Sequence, residues 1–372
     1  MVRKNDISKE RVAKILFADA SIESIDAEKT LPSKFKRMLK KLELDKRVKD
    51  KNVCIKMHFG GYIGYTTIHP VFVRILVQEL KDAGAKSMKV IDNNPADGLP
   101  RGYTEEVLGC PVVGTFGQTG KYFYKEKIGF KTLNEVELSG EAIDSDFFLD
   151  LSHVKGHGAC GFGGAIKNIS MGLVTQDSRG KIHNLEGGLV VDKKKCKFCL
   201  KCYRTCRNNA ITVDKKKKEI SIFLHNCTFC QHCILVCPEH ALRIENDNFG
   251  NFAKGMAIVA TKFLKKFKPE NLLFINFLTN ITMLCDCWGF STPPLVPDIG
   301  ILASEDIAAI ETASLDMIKS DTILPNGLPK NRELVEGKHL FEKIHGKDPY
   351  LMIKYLTELY DCTMKYEILE IK

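Results

Sequence analysis

Eight of the fourteen cysteines in this 372-residue chain fall into two copies of one spacing, C-x2-C-x2-C-x3-C. The first copy is Cys196, Cys199, Cys202 and Cys206; the second is Cys227, Cys230, Cys233 and Cys237, followed by Pro238. Three thiolates at that spacing wrap three irons of a cubane 4Fe-4S cluster, and the fourth is carried to a neighbouring cluster. The expected ligands are therefore Cys196, Cys199, Cys202 and Cys237 for cluster one, and Cys227, Cys230, Cys233 and Cys206 for cluster two. A zinc ion needs only four ligands, usually from two separated pairs, and two runs of four exceed that need. Arg207 stands where a proline often follows the fourth cysteine, which leaves the thiolate supply intact but alters the turn.

A second set of polar residues needs a scaffold to bring it together. Val53 to Met57, Ser87 to Asp92, Phe147 to Ser152, Leu272 to Phe277 and Ile299 to Leu302 read as strands. Between them, His69 to Ala83 carries apolar residues at helical spacing, a helix is expected from about Thr104, and Ser304 is expected to cap a helix beginning Glu305-Asp306. Strands alternating with helices predict an α/β fold, a mostly parallel sheet with helices on both faces, interrupted by the two-cluster module. The expected division is residues 1–189 and 247–372 for the two parts of the α/β domain and 190–246 for the insert.

In a parallel sheet the loops after the strands share one edge, where ligands bind. That edge is expected to collect His58, Asp92, His153, Lys155, His157, Gly161, Gly163, Gly164, Lys167, Asn168, Cys285, Cys287 and the Ser304-Glu305-Asp306 turn. His58, His153, His157 and Lys155 are the candidate catalytic groups. The glycines beside Lys155 and Lys167 suit an anion nest, with Asp92 and Asn168 completing a cofactor site; a plain tight turn is the alternative. Cys285 and Cys287 have the spacing of a third metal site or of a thiol-redox pair, against a simple packing role. Cys54, Cys110 and Cys362 are expected only to pack.

Composition narrows the class. With 44% hydrophobic and 27% charged residues the chain reads as globular, and no apolar run reaches membrane-spanning length. The opening residues are too polar for a signal peptide, and thiolate clusters need a reducing compartment, so an anaerobic cytoplasm is expected. Of the formal charge of +9, most lies between Val190 and Asn246, which hold twelve Lys/Arg against five Asp/Glu. The eight thiolates and two oxidised clusters would add roughly −4. The remaining basic rim suits an acidic electron carrier, a ferredoxin or flavodoxin, or a larger oxidoreductase. Lys215 to Lys218 read as a hairpin tip, and Phe198, Tyr203 and Phe229 as packing around the clusters rather than as platforms for nucleic acid.

With these residues in hand, the chain resembles the prokaryotic domain of unknown function family 362, in the form carrying an inserted bacterial-type ferredoxin. The matching stretches are HFGG at 58 to 61, VIDNN at 90 to 94, LSHVKGHGACGFGGAIKNISMG at 151 to 172, both cysteine runs, and PDIGILASEDIAAIETASLD at 297 to 316. The resemblance implies an iron-sulfur protein of anaerobic metabolism and names no general activity. A fainter similarity is to the nickel-pincer lactate racemases, in which a catalytic histidine, a cofactor-anchoring lysine and a metal-binding histidine follow in order. His157, Lys167 and His183 stand in that order here, although the glycine turn differs.

Two functions are expected from these residues. In one, the chain is a redox enzyme passing single electrons between a carrier and an anionic substrate or cofactor at the strand-end crevice. In the other, it is a non-catalytic electron carrier or assembly subunit of a larger oxidoreductase.

Overall fold

The computed structural model describes residues 11–61, 63–207, 209–222, 231–245, 248–330 and 334–372. Sixteen strands occur among them. In chain order, β1 is Ala13–Asp19, β2 Asn52–Lys56, β3 Ser87–Asp92, β4 Val112–Gly114, β5 Phe123–Phe130, β6 Leu133–Ser139, β7 Phe147–His153 and β8 Lys155–His157. There follow β9 Gly161–Gly163, β10 Leu189–Val191, β11 Ile211–Asp214, β12 Glu219–Ile222, β13 Leu242–Ile244, β14 Leu272–Leu278, β15 Gly300–Ser304 and β16 Tyr366–Glu370.

Eight of these form the central sheet in the order β16-β1-β15-β14-β7-β2-β3-β4. All neighbours run parallel except β15, which is antiparallel to both β14 and β1. Every residue of β7 and β14 is buried, because helices cover both faces and alternation has no solvent side to mark. Val53, Phe147, Leu149, Leu273 and Ile275 pack on the face covered by helices Leu31–Lys41 and Pro70–Asp82. Cys54, Phe148, Leu272 and Phe274 pack on the opposite face, under helices Ala165–Ser170, Phe249–Leu264, Ile307–Met317 and Leu351–Leu359. Local chemistry sets the helix starts: His69 Nδ1 accepts from Val71 N at 3.2 Å and Pro70 opens the first turn, where its missing N–H costs nothing.

One expected start is corrected. Asp306, not Ser304, caps Ile307–Met317, accepting from Ala308 N and Ala309 N at 3.0 Å each, while Ser304 ends β15 and donates to Lys14 O. Because β15 runs antiparallel, Ser304 lies opposite Phe274 near the start of β14. The Ser304-Glu305-Asp306 turn therefore sits at the other edge of the sheet from the expected crevice.

The cysteine-rich segment leaves and rejoins the body through one small ladder, β10 against β13. Strands β11 and β12 form the hairpin whose tip is Lys215 to Lys218. An internal repeat is visible in the backbone. Leu200 and Gln231 both take left-handed φ (60° and 63°) just before helices Lys201–Thr205 and His232–Leu235, and Asn209 and His240 do so again (49° and 48°). Cys206 Sγ accepts from Ala210 N, and Cys237 Sγ from Ala241 N, each at 3.3 Å. Cys227, Cys230, Phe229 and the Asn246 border lie outside the described residues.

Candidate functional site

The strands end in a cavity of about 230 Å³. Lys56 and His58 reach it from the end of β2, Asp92 from β3, Ser152 and His153 from β7, and Lys155 and His157 from the β8–β9 hairpin. Lys167, Asn168, Arg179, His183, Cys285 and Cys287 complete the walls. Residues far apart in sequence meet here because the parallel strands β2, β3, β7 and β14 direct their following loops to one edge.

Each cation at the site has a different counterpart. Lys56 Nζ bonds to Asp92 Oδ1 at 3.0 Å, and Asp92 Oδ2 accepts from Phe59 N at 3.1 Å and faces His58 Nδ1 at 3.4 Å. Burial alone would raise the Asp92 carboxyl, but Lys56 and His58 outweigh it and hold it far below the usual range. Lys155 pairs closely with the buried Asp286. Burial pulls the Lys155 ammonium down to about 7, so it sits near its titration point at neutral pH. Arg179 is half-buried, its pKa is lowered by desolvation, and among the described residues no carboxylate lies within ion-pair distance of it.

His153 is locked. Its Nε2 faces Thr279 O at 2.7 Å, which places the ring proton there and leaves Nδ1 to accept from Lys155 Nζ at 2.6 Å. Burial and the Lys155 charge keep it neutral, so it orients Lys155 rather than moving protons itself.

The thiols differ in the same way that the cations do. Burial pushes Cys54 and Cys160 up to about 12 and Cys110 up to about 11, and they remain inert thiols. Cys285 is equally buried yet is driven well below the usual thiol range, first by its hydrogen bond with Cys287 and then, against burial, by Lys167 and His58. Lys167 Nζ lies 3.1 Å from Cys285 Sγ. Cys287 N donates to the same sulfur at 3.4 Å.

His157, Cys285 and Cys287 bring their ligand atoms within 4.8 Å of one another. Two observations count against a divalent metal there. His157 Nδ1 accepts from Ala159 N and Cys160 N, each at 3.1 Å, so the neutral ring carries its proton on Nε2, the nitrogen 3.7 Å from Cys287 Sγ. A metal-binding histidine shows the reverse, its second nitrogen donating to an acceptor. The Lys167 ammonium also occupies the place beside Cys285 where a cation would stand.

The expected anion nest is corrected as well. The glycine run forms the tight β8–β9 hairpin, pairing Lys155 with Gly163 and His157 with Gly161. Its turn amides are spent on His157, and the first amides of the following helix are spent on Glu311, which accepts from Ala165 N at 2.8 Å and Ile166 N at 3.3 Å. Gly164 is required for that approach, since a Cβ there would lie 2.3 Å from Glu311 Oε1. The nest holds a carboxyl group of its own, and Lys167 is turned to a sulfur. Asn168 is turned inward too, its Nδ2 donating to Asp150 Oδ2 at 2.9 Å.

Several functional groups escaped the sequence reading. Lys56 carried a signal, a lysine inside an otherwise apolar strand. Asp286 lay in plain sight between Cys285 and Cys287. Arg179 on helix Gln176–His183, and Glu311 on helix Ile307–Met317, gave none that a single sequence separates from a surface charge. His232 was hidden inside the second cysteine run, where it stacks on Trp288 with ring centroids 3.7 Å apart.

The cysteine segment sits directly on this site. Arg207 Nη1 donates to Cys287 O at 3.0 Å, and Nη2 donates to Trp288 O. Gly289, at φ 78°, leaves the room that the guanidinium fills. His232 Nε2 lies 4.0 Å from Cys287 Sγ. Within the segment, Cys196, Cys199 and Cys202 line one small cavity together with Cys237 of the second run.

Fold and cavity together define an α/β protein with a cationic, thiol-bearing site at its strand ends. Residues 53–316 match the family described as Domain of unknown function (DUF362), and the chain belongs to that family. No curated protein matches it in sequence. Among solved structures, it is similar to the lactate racemase apoprotein from Thermoanaerobacterium thermosaccharolyticum, at 14% identity and a TM-score of 0.35 over 74% of this chain and 53% of that one. A structural-genomics protein from Thermotoga maritima is similar at 12% identity and a TM-score of 0.37, over 68% of this chain and 52% of that one. The chain spans about half the length of these two structures. No helix among the described residues is long and apolar enough to cross a membrane.

Proposed function

We propose that this chain is an iron-sulfur electron-transfer protein of the anaerobic cytoplasm and a redox enzyme acting on an anionic substrate or cofactor in the strand-end cavity. The observation that carries the reading is the seating of the cysteine segment, through Arg207 and His232, on the loop whose thiols line the cavity. A platform that only docked partners would need no such convergence of thiols and cations beneath it. Cys196, Cys199, Cys202 and Cys237 would hold one 4Fe-4S cluster, in keeping with their shared cavity, and Cys206, Cys227, Cys230 and Cys233 the other. When bound, the clusters supply one-electron transfer. Arg179, the half-buried cation with no carboxylate in ion-pair reach among the described residues, would meet the anionic group of the ligand, and Lys155, near its titration point, would exchange protons with it. The exposed lysines flanking the first run and at the hairpin tip would receive an acidic ferredoxin or flavodoxin.

Metal and cofactor analysis of anaerobically purified protein tests this. About eight iron and eight sulfide per chain are expected, as two cubanes require. Replacing Cys206 with serine should damage the cluster held by Cys227, Cys230 and Cys233, as followed by electron paramagnetic resonance. A protein that binds zinc and no sulfide would overturn the reading.

A further inference from the structure

Cys285 and Cys287 stand where the cysteine segment and the cavity meet. Both line the cavity, and their sulfurs lie within 4.8 Å of each other. They are two residues apart at the 3-10 turn Asp286–Trp288, and a disulfide requires their sulfurs to close from within 4.8 Å to about 2.05 Å. The site treats the two sulfurs differently. Cys285 faces the Lys167 ammonium at 3.1 Å and the side chain of His58, whose Nδ1 is fixed by Asp92 and whose Nε2 has no other hydrogen-bond partner. Cys287 faces His157 Nε2 at 3.7 Å on the cavity side and His232 Nε2 at 4.0 Å on the segment side. The ring tautomer that denies His157 to a metal suits a hydrogen bond to a thiolate.

The geometry points to Cys285 and Cys287 as a dithiol/disulfide relay that gathers single electrons from the cysteine segment into a two-electron step in the cavity, with Arg207 as the residue that positions it. This rests on the iron-sulfur reading above and specifies the chemistry of the same site. In the reducing direction, two electrons delivered one at a time break the S–S bond and leave two thiolates. The charge on Cys285 is held by Lys167, and that on Cys287 by the N–H of His157, which keeps its proton. In the oxidising direction the same two thiolates give up two electrons, one at a time, to the cysteine segment, and the S–S bond re-forms with no proton to place. The substrate class is then a two-electron acceptor or donor bound as an anion.

Arg207 explains the route. It follows Cys206, an expected ligand of cluster two, and its guanidinium ends on the carbonyls of Cys287 and Trp288. His232 precedes Cys233, another expected ligand of the same cluster, and touches the same sulfur. Both contacts come from the half of the segment assigned to cluster two, so that cluster is the one adjoining the relay.

The test is a redox titration of the anaerobically purified full chain, with maleimide mass-tagging of free thiols and iron and sulfide counted on the same sample. The Cys285–Cys287 peptide should lose both tags and two mass units after treatment with diamide, and regain both tags with reduced methyl viologen, a one-electron donor. Arg207→Ala should slow the regain with viologen by about tenfold, the factor given by about 1.4 kcal/mol. Dithiothreitol, which enters through the cavity, should restore the tags in variant and parent at the same rate, a result that general unfolding would not give. Full iron content with two taggable thiols at every potential would overturn the relay alone. So would equimolar zinc or nickel that disappears in Cys285→Ser. Absence of iron and sulfide would overturn the reading beneath it and the electron route with it.

Discussion

In the α/β body, apolar side chains fill both faces of the sheet, and the polar groups of the cavity are held by that frame through buried hydrogen bonds. In the cysteine segment, three of the eight buried residues that form its hydrophobic cluster among the described residues are cysteines: Cys202, Cys233 and Cys237. A unit of this size is marginal without a metal or a disulfide, and here the thiols occupy the places of core residues. The comparison teaches that the body forms its site by packing, whereas the segment builds its core partly from the thiols proposed to hold iron.

Removing the iron breaks that comparison most directly. Anaerobic chelation should abolish amide protection from about residue 190 to 245 while the body keeps a cooperative thermal transition, measured by hydrogen exchange and calorimetry. Loss of protection in β7 and β14 would show that the two regions share one core.

Deleting Val190 to Asn246 and closing the gap with a short linker is the next largest change. The body should still melt cooperatively, since the β10–β13 ladder pairs the two ends of the segment with each other and the segment meets the body through side-chain contacts such as those of Arg207 and His232 on the Cys285–Gly289 loop. Trp288 is the sole tryptophan and is buried beneath His232, so its emission should shift to the red. An unshifted emission would mean that the loop holds its form unaided.

Within the body, Lys167→Met sharpens the contrast between the inert thiols and Cys285. The depressed Cys285 pKa means that thiolate persists below the ordinary thiol range, and removing the ammonium 3.1 Å away should move its alkylation midpoint upward. A shift of about one pH unit, worth about 1.4 kcal/mol, is expected. An unchanged midpoint would assign the effect to Cys287 and His58 alone.

The smallest effect concerns Glu311. Burial raises its carboxyl from the ordinary 4.5 to about 7. Its folded pKa lies above the unfolded one, so the stability it contributes is present below about pH 4.5 and is lost as the pH rises through about 7. Glu311→Gln should cost about 1 kcal/mol at low pH and flatten the profile across that window, as read from urea melts.

Strands β2, β3, β7 and β14 were legible because each contains an apolar run, and a parallel sheet fixes where its loops go; the outer strands β1, β4 and β16 were not read from the sequence. The same rule brought His58, Asp92, His153, Lys155 and Lys167 to one cavity before any contact was visible. It failed for Ser304, because strand direction is not written in an apolar run, and β15 runs against its neighbours. Residues that pair inside the cavity were harder to see. A glycine turn beside a lysine is equally consistent with an external anion and with an internal one, and only the position of Glu311 on a distant helix separates the two. Arg207 was noticed as a departure from the cysteine pattern, but its purpose depends on a loop some eighty residues later.

The edge of the sheet carries a consequence for the order of events on the ribosome. Strand β1 precedes the cysteine runs in the chain, yet both of its neighbours, β15 and β16, follow them. The cysteine runs leave the exit tunnel before either neighbour does. If the runs hold iron as proposed, it could be inserted into a nascent chain whose sheet is still open beside β14, with the sheet closing beside the loop of Cys285 and Cys287 afterwards.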